Sequence, residues 1–250
     1  MRTTALLCLT ALLLSATPSF SQPQSGKVFL RVALGFATQD LEDWNDDIEA
    51  GEQTLQSAGI PASFETFGGT MPFSVEAGYQ ATELLSVSLS AARQSDSVKN
   101  SYSDYSGSLS SNADVAMTTL SGNLSYWVPG TRGLFFGADV GVGFGTASSE
   151  FGFRDYAAPE NDVDITGDWS GNGFVAGAFG GYQHEFSGGF VLHGKLGYQF
   201  QNLGEFDGGV SSPQFGSESG PPVNNTGQPM DTDFSGVQLM IGLGVVFGGS

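Results

Sequence analysis

Four charged side chains fall where a strand-forming sequence would turn them inward: Arg31, Glu76, Asp139 and Lys195. Counting from the short connections, all four stand at similar depth, with Arg31 and Glu76 on neighbouring strands. Charges withdrawn from water need partners. The expected arrangement is an ion-pair network that fills a narrow interior; the alternative is a gated or selective conduit. Eight strands leave an interior that side chains can fill, which favours the first. Catalysis is poorly provisioned. The sequence holds two His and one Cys. His193 falls low on the inward face and His184 beside a short turn, and neither is grouped with Ser or Asp as a nucleophile would require. Asp162-Val163-Asp164-Ile165-Thr166-Gly167-Asp168 sets oxygen ligands at alternate positions ahead of a glycine, as calcium loops do. Thr166 replaces an acid or amide there, and Gly173 stands where a bidentate Glu belongs. Asp162, Asp164 and Asp168 are therefore a weak metal candidate, and no cofactor is expected.

The elements that carry these residues keep a two-residue beat. Val237, Leu239, Ile241, Leu243, Val245 and Phe247 share one face of the last segment, which has the about 9–11 residues a tilted strand needs to cross a bilayer. Seven earlier segments repeat the pattern, starting near Lys27, Phe73, Leu85, Leu120, Leu134, Phe174 and Phe190. The segment at Phe174 is the least regular, because Val175 and Phe179 fall opposite its apolar face. Short connections (Gln80–Glu83, Pro129–Arg132, Ser187–Gly189) alternate with four long ones, roughly 38–70, 96–113, 148–171 and 203–233, which are expected to be loops. In the first of these, Trp44, Ile48 and Leu55 ahead of Gly59 and Pro61 predict a helix over 43–57, either plugging the mouth of the sheet or lining an apolar entrance.

Eight Lys and Arg face 26 Asp and Glu, for a net charge of −18. That balance excludes nucleic acid as a partner. Met1-Arg2, the apolar run Ala5–Leu14 and Ser19-Phe20-Ser21 read as a secretory signal over 1–21, which leaves 22–250 as one barrel domain without cysteine. The face opposite the apolar one is rich in Gly, Ser and Ala. Tyr79, Tyr126 and Tyr182, with Phe190 and Phe247, gather at the short-turn end of the apolar face. Tyr198 and Phe200, with Phe36 and Phe144, gather at the other end. These are the marks of interfacial girdles, and they turn the apolar face to lipid. Arg93 lies on that face near its outer edge, where it would snorkel or meet a lipopolysaccharide phosphate. Asn224-Asn225-Thr226 matches a glycosylation acceptor.

In strand number, alternating connections and a Phe-ended last strand, the chain resembles the small eight-stranded outer-membrane barrels, the group of OmpX, OmpW and the OmpA transmembrane domain. The resemblance implies an all-β, antiparallel, up-and-down transmembrane barrel in a Gram-negative cell envelope, with short periplasmic turns and acidic extracellular loops. It implies an assembly signal at Gly242, Val245 and Phe247, read by the barrel-assembly machinery. Met240 departs from the usual polar residue of that signal, and Gly248-Gly249-Ser250 extend past the usual terminus. The expected role is structural or surface-interactive (membrane integrity, adhesion), by a non-enzymatic monomer whose partners are outer-membrane lipid and lipopolysaccharide. The alternatives are a small porin-like channel for apolar or ionic solutes, as the OmpW resemblance would imply, a soluble secreted β-barrel binder, or a lipid-modifying enzyme.

Overall fold

The computed structural model describes residues 24–39, 41–131, 133–204, 206–224, 227–230 and 232–248. The expected signal segment 1–21, Arg132, Asn225, Thr226, Gly249 and Ser250 lie outside them.

Ten strands form one sheet: β1 (Val28–Ala37), β2 (Phe73–Gln80), β3 (Leu85–Ser103), β4 (Gly107–Trp127), β5 (Leu134–Asp155), β6 (Val163–Glu185), β7 (Phe190–Asn202), β8 (Asp207–Ser212), β9 (Gly216–Ser219) and β10 (Gly236–Phe247). Eight of them close a ring in the order β1-β2-β3-β4-β5-β6-β7-β10, and β10 pairs back antiparallel on β1. Over the height at which all eight strands pair, closure leaves the ring without a free edge to recruit other chains. The first strand meets the last over its whole length, from Val28 opposite Phe247 to Ala37 opposite Gln238. The turn between β6 and β7 is built on Gly188 and Gly189, both at positive φ (86° and 80°), where a side chain would be strained.

Outward positions form the belt that the two-residue beat predicts. Leu30, Phe136, Phe190 and Leu243 are all exposed, at 44–62% of their full surface. Tyr79, Tyr182, Tyr198 and Phe200 are exposed on the same face. Tyr126 is half-covered by Phe136, with ring centroids 5.2 Å apart.

Two of the four expected loops are strand instead. The segment 96–113 continues β3 and β4, which pair out to Ser103 opposite Ser108 and turn tightly through Asp104–Ser106. The segment 148–171 continues β5 and β6, out to Phe153 opposite Val163, with a 3₁₀ turn at Pro159–Asn161 between them. The third, 203–233, carries the β8–β9 hairpin, and β8 pairs on the outer part of β6. The fourth, 38–70, holds helix α1 (Glu42–Ser57), within one residue of expectation. Thus β3 to β6 form a tall wall, while β1, β2, β7 and β10 end lower. The acids expected in loops stand partly on this wall, as Asp96, Asp114, Glu150 and Asp168 do.

Candidate functional site

Inside the ring, side chains stack in three layers. At the short-turn end, Trp127, Phe135 and Phe179 are buried together, with centroid separations of 5.0 Å and 6.3 Å. The Trp127 indole N–H donates to Ser86 Oγ (3.2 Å). These are the inward residues of β4, β5 and β6. Val175 and Phe179, which blurred the pattern of the sixth segment, are inward, and Phe179 belongs to this layer.

The middle layer is polar. Register places Arg31 directly opposite Glu76, and Arg31 Nη1 lies 3.5 Å from Glu76 Oε1. Arg31 Nη2 donates to Gln183 Oε1 (2.6 Å), and Ser88 Oγ donates to Glu76 Oε1 (2.5 Å). Asp139 is met by a neutral donor, Gln199 Nε2 (2.9 Å), within a series of amides that includes Gln94, Gln201 and Gln238. Lys195 Nζ lies 4.2 Å from the centroid of the Phe179 ring, a cation–π contact. So Arg31 and Glu76 come together as a pair; Asp139 and Lys195 line the same cavity but are held by an amide and a ring. His193 is buried there, and its Nδ1 has no hydrogen-bond partner among the described residues. The water-accessible space left is about 40 Å³. One water takes about 10–15 Å³ by that measure, so that space has room for a few waters.

Sequence reasoning passed over Gln183 and Gln199 because neutral amides carry no charge signal; their inward parity on β6 and β7 was the available clue. It also missed Lys27–Glu185, an ion pair at 3.1 Å between residues 158 apart, which exists only once the ring closes. Gly242 and Gly244 of β10 face inward here. A Cβ at Gly242 would run into the Val32 carbonyl oxygen, and one at Gly244 would lie 2.8 Å from Arg31 Cγ. Close approach of the neighbouring backbone and of the inward His193 and Arg31 side chains thus requires these glycines. Val245 is paired with Leu30 and Phe190, and Phe247 is exposed opposite Val28.

The third layer closes the opposite end. Leu41, Trp44, Phe67, Trp169, Phe206 and Phe234 are among its buried residues. Trp44 packs edge-on against Phe67 (6.4 Å) and Trp169 (6.2 Å), and its indole N–H donates to Thr232 Oγ1 (3.3 Å). Trp44, Ile48 and Leu55 share one face of α1 by helical periodicity. Glu42 and Asp43 occupy the first turn, where the helix dipole favours acids. Only the first turns of α1 reach this layer. Farther along, Ile48, Gly51 and Leu55 border two open cavities of about 520 and 680 Å³, with Phe64, Leu109 and Phe151 on one side and Ile165 and Val210 on the other. Above the plug, then, is an apolar cup open to solvent.

Four other sequence candidates lie on the outer surface. Arg93 is exposed, and its Nη1 donates to Thr118 Oγ1 (3.3 Å). Asp164 accepts from Arg154 Nη2 (2.6 Å), and Asp162 lies 3.7 Å from Arg154 Nε. Asp168 stands apart on the outer face of β6, opposite Ser148. The stretch expected to resemble a calcium loop is thus strand, with two of its carboxylates engaged by arginine. Among the described residues, no group of three or more His, Cys, Asp or Glu is arranged to hold a metal.

A closed eight-strand ring, packed inside and apolar outside, has the architecture of a small transmembrane β-barrel. No family model matches the chain, and no curated protein matches it in sequence. Among solved structures it is similar to the attachment invasion locus protein Ail of Yersinia pestis, at 11% identity and a TM-score of 0.46, covering 90% of this chain and 100% of that one. It is similar to the outer membrane protein OprG of Pseudomonas aeruginosa, at 14% identity and a TM-score of 0.47, covering 90% and 98%. A major outer membrane protein of Thermus thermophilus gives 16% identity and a TM-score of 0.47, covering 89% and 100%. Identities and scores this low carry no information about ligand or partner.

Proposed function

We propose that the protein is an integral outer-membrane barrel with a sealed lumen. It acts through the surface it presents outside the cell, in membrane integrity or adhesion, and it catalyses no reaction. The short turns face the periplasm, and the β3–β6 wall with α1 faces outward. Its belt is solvated by lipid and lipopolysaccharide; Arg93 at the outer edge of the belt is suited to a phosphate of the latter. The chain is exported by its first 21 residues and inserted by the barrel-assembly machinery as a monomer, with Gly242, Val245 and Phe247 in the strand that machinery reads. The observation that carries the sealed reading is the filled lumen, in which the Arg31–Glu76 pair and its amide neighbours leave about 40 Å³ between two apolar layers.

The test combines two measurements on one preparation. In the first, protein from the membrane fraction is run on a gel boiled and unboiled, where a folded barrel migrates differently. In the second, the same folded protein is placed in a planar bilayer. The expected result is a heat-dependent shift with no steady conductance. A soluble protein with no shift would overturn the membrane reading. Steady conductance that changes in Glu76→Gln would overturn the sealed lumen in favour of a channel.

A further inference from the structure

We infer that the cup above the plug is a binding site for a small cationic amphiphile, a molecule with an apolar body and one ammonium group. The inference rests on the sealed-barrel reading, because an occupant of the cup is held there and has no onward path. Three observations support it.

The first is size. The two cavities, about 520 and 680 Å³, flank the same helix and share Asp47, Ile48, Ser111 and Val223. Pockets that enclose small ligands run to about 300–1,000 Å³. The second is the apolar wall. Phe151 and Val223 are 37% and 53% exposed, with Leu55 and Phe64 part-covered beside the helix. They stand beyond the belt, on the solvent side of the plug, so lipid does not cover them. The lining of both cavities is more apolar than polar, as small-molecule sites have it.

The third is charge. Among the described residues, no Lys or Arg lines either cavity, whereas Asp47 and Glu218 do. Helix α1 adds Glu42, Asp43, Asp46, Glu49 and Glu52 and carries no basic residue. The cations of the wall are turned away: Lys99 is on the outer face of β3, and Arg154 is engaged with Asp162 and Asp164. An anionic ligand would therefore meet like charge, while an ammonium group at the rim meets complementary charge. Trp44 and Trp169 both border the larger cavity, which gives occupancy an intrinsic optical signal.

The experiment uses the full barrel in nanodiscs of zwitterionic lipid, with hexyltrimethylammonium as probe and hexanesulfonate as the anionic match of equal chain length. Tryptophan fluorescence is followed during titration, and the gel shift is read on the same sample. The expected result is saturable binding of the ammonium probe, at least tenfold tighter than the sulfonate. Glu218→Lys and Phe151→Ala should each weaken it at least fivefold with the gel shift unchanged. Equal or tighter binding of hexanesulfonate, or saturation unaffected by both substitutions, would overturn the inference. So would no saturable change in a sample that still shifts on the gel. Loss of the shift in the unaltered protein would instead count against the barrel reading.

Discussion

Removing one partner of the Arg31–Glu76 pair tests whether the polar layer is a matched set of charges. At 3.5 Å, with an effective dielectric of about 20, the pair interacts by about 5 kcal/mol. Its side chains are 6% and 14% exposed, so solvent screens little of that. Breaking a buried pair from one side costs about 3–5 kcal/mol, because the survivor keeps its desolvation penalty. The two sides are not equivalent. Glu76 also lies within electrostatic reach of Lys195, so Arg31→Ala leaves the carboxylate one cation. Glu76→Ala removes the ion-pair partner of Arg31 and leaves Asp139 as the one carboxylate among the described residues lining the cavity of Lys195, and Asp139 already accepts from Gln199. Glu76→Ala is expected near the top of that range and Arg31→Ala near the bottom. The double substitution Arg31→Ala/Glu76→Ala should cost less than the sum of the two singles by at least about 1.5 kcal/mol, the signature of direct contact. The assay is urea unfolding of the barrel in lipid vesicles, followed by tryptophan fluorescence. Singles below about 1 kcal/mol, or a double equal to the sum, would refute the reasoning.

Trp44→Ala removes the centre of the outer apolar layer and should cost about 3–5 kcal/mol if the emptied space cannot collapse; limited proteolysis should then cut first within 38–70. Gly242→Ala should lower the fraction of heat-shifting barrel, whereas Val245→Ile should not; equal yields would remove the packing argument for Gly242. At the β3–β4 tip, Asp104 accepts from the Ser106 hydroxyl (2.7 Å) and from the Ser106 and Gly107 amides. These bonds, the hydroxyl's first, hold its carboxyl below the usual range. A lowered carboxyl stabilises the tip above its unfolded pKa, and that contribution is lost as pH falls through the folded value. Amide exchange at Gly107 should therefore accelerate in strong acid beyond its intrinsic trend, and Asp104→Asn should flatten the response.

The belt was legible in the sequence because it sets apolar residues against Gly and Ser, and a two-residue beat shows wherever the two faces differ in kind. Beyond the lipid both faces turn polar. On outer β3 the outward residues are Ser95, Ser97, Lys99 and Ser101, and the inward ones Gln94, Asp96, Val98 and Asn100. With Val98 alone for contrast, the strand read as loop, and so did outer β5 and β6. Helix α1 was legible because Trp44, Ile48 and Leu55 repeat at helical spacing ahead of a glycine and a proline. In the lumen, charge picked out Arg31 and Glu76, and parity put them on one face. Their direct pairing depended on the β1–β2 register, and the amides that complete the layer come from strands far along the chain. The cup could not be foreseen, because its walls come from α1, β3, β4, β5, β6, β8, β9 and the segment before β10, which meet only in three dimensions.

The unequal strand heights give the molecule a front and a back within the plane of the membrane. On one flank β3 runs ten residues past Arg93 to Ser103, about 33 Å of extended chain. On the opposite flank β2 begins at Phe73 and β10 at Gly236, near the edge of the belt. In the proposed orientation, a macromolecule descending from outside meets the tips at 104–106 and 156–162 first, at the far end of the tall flank. A neighbour drifting sideways through the bilayer meets a screen on one flank and the helix-capped shoulder on the other. The same asymmetry makes those two tips the places to insert an epitope for cell-surface display, since they lie farthest from both the lipid belt and the packed lumen.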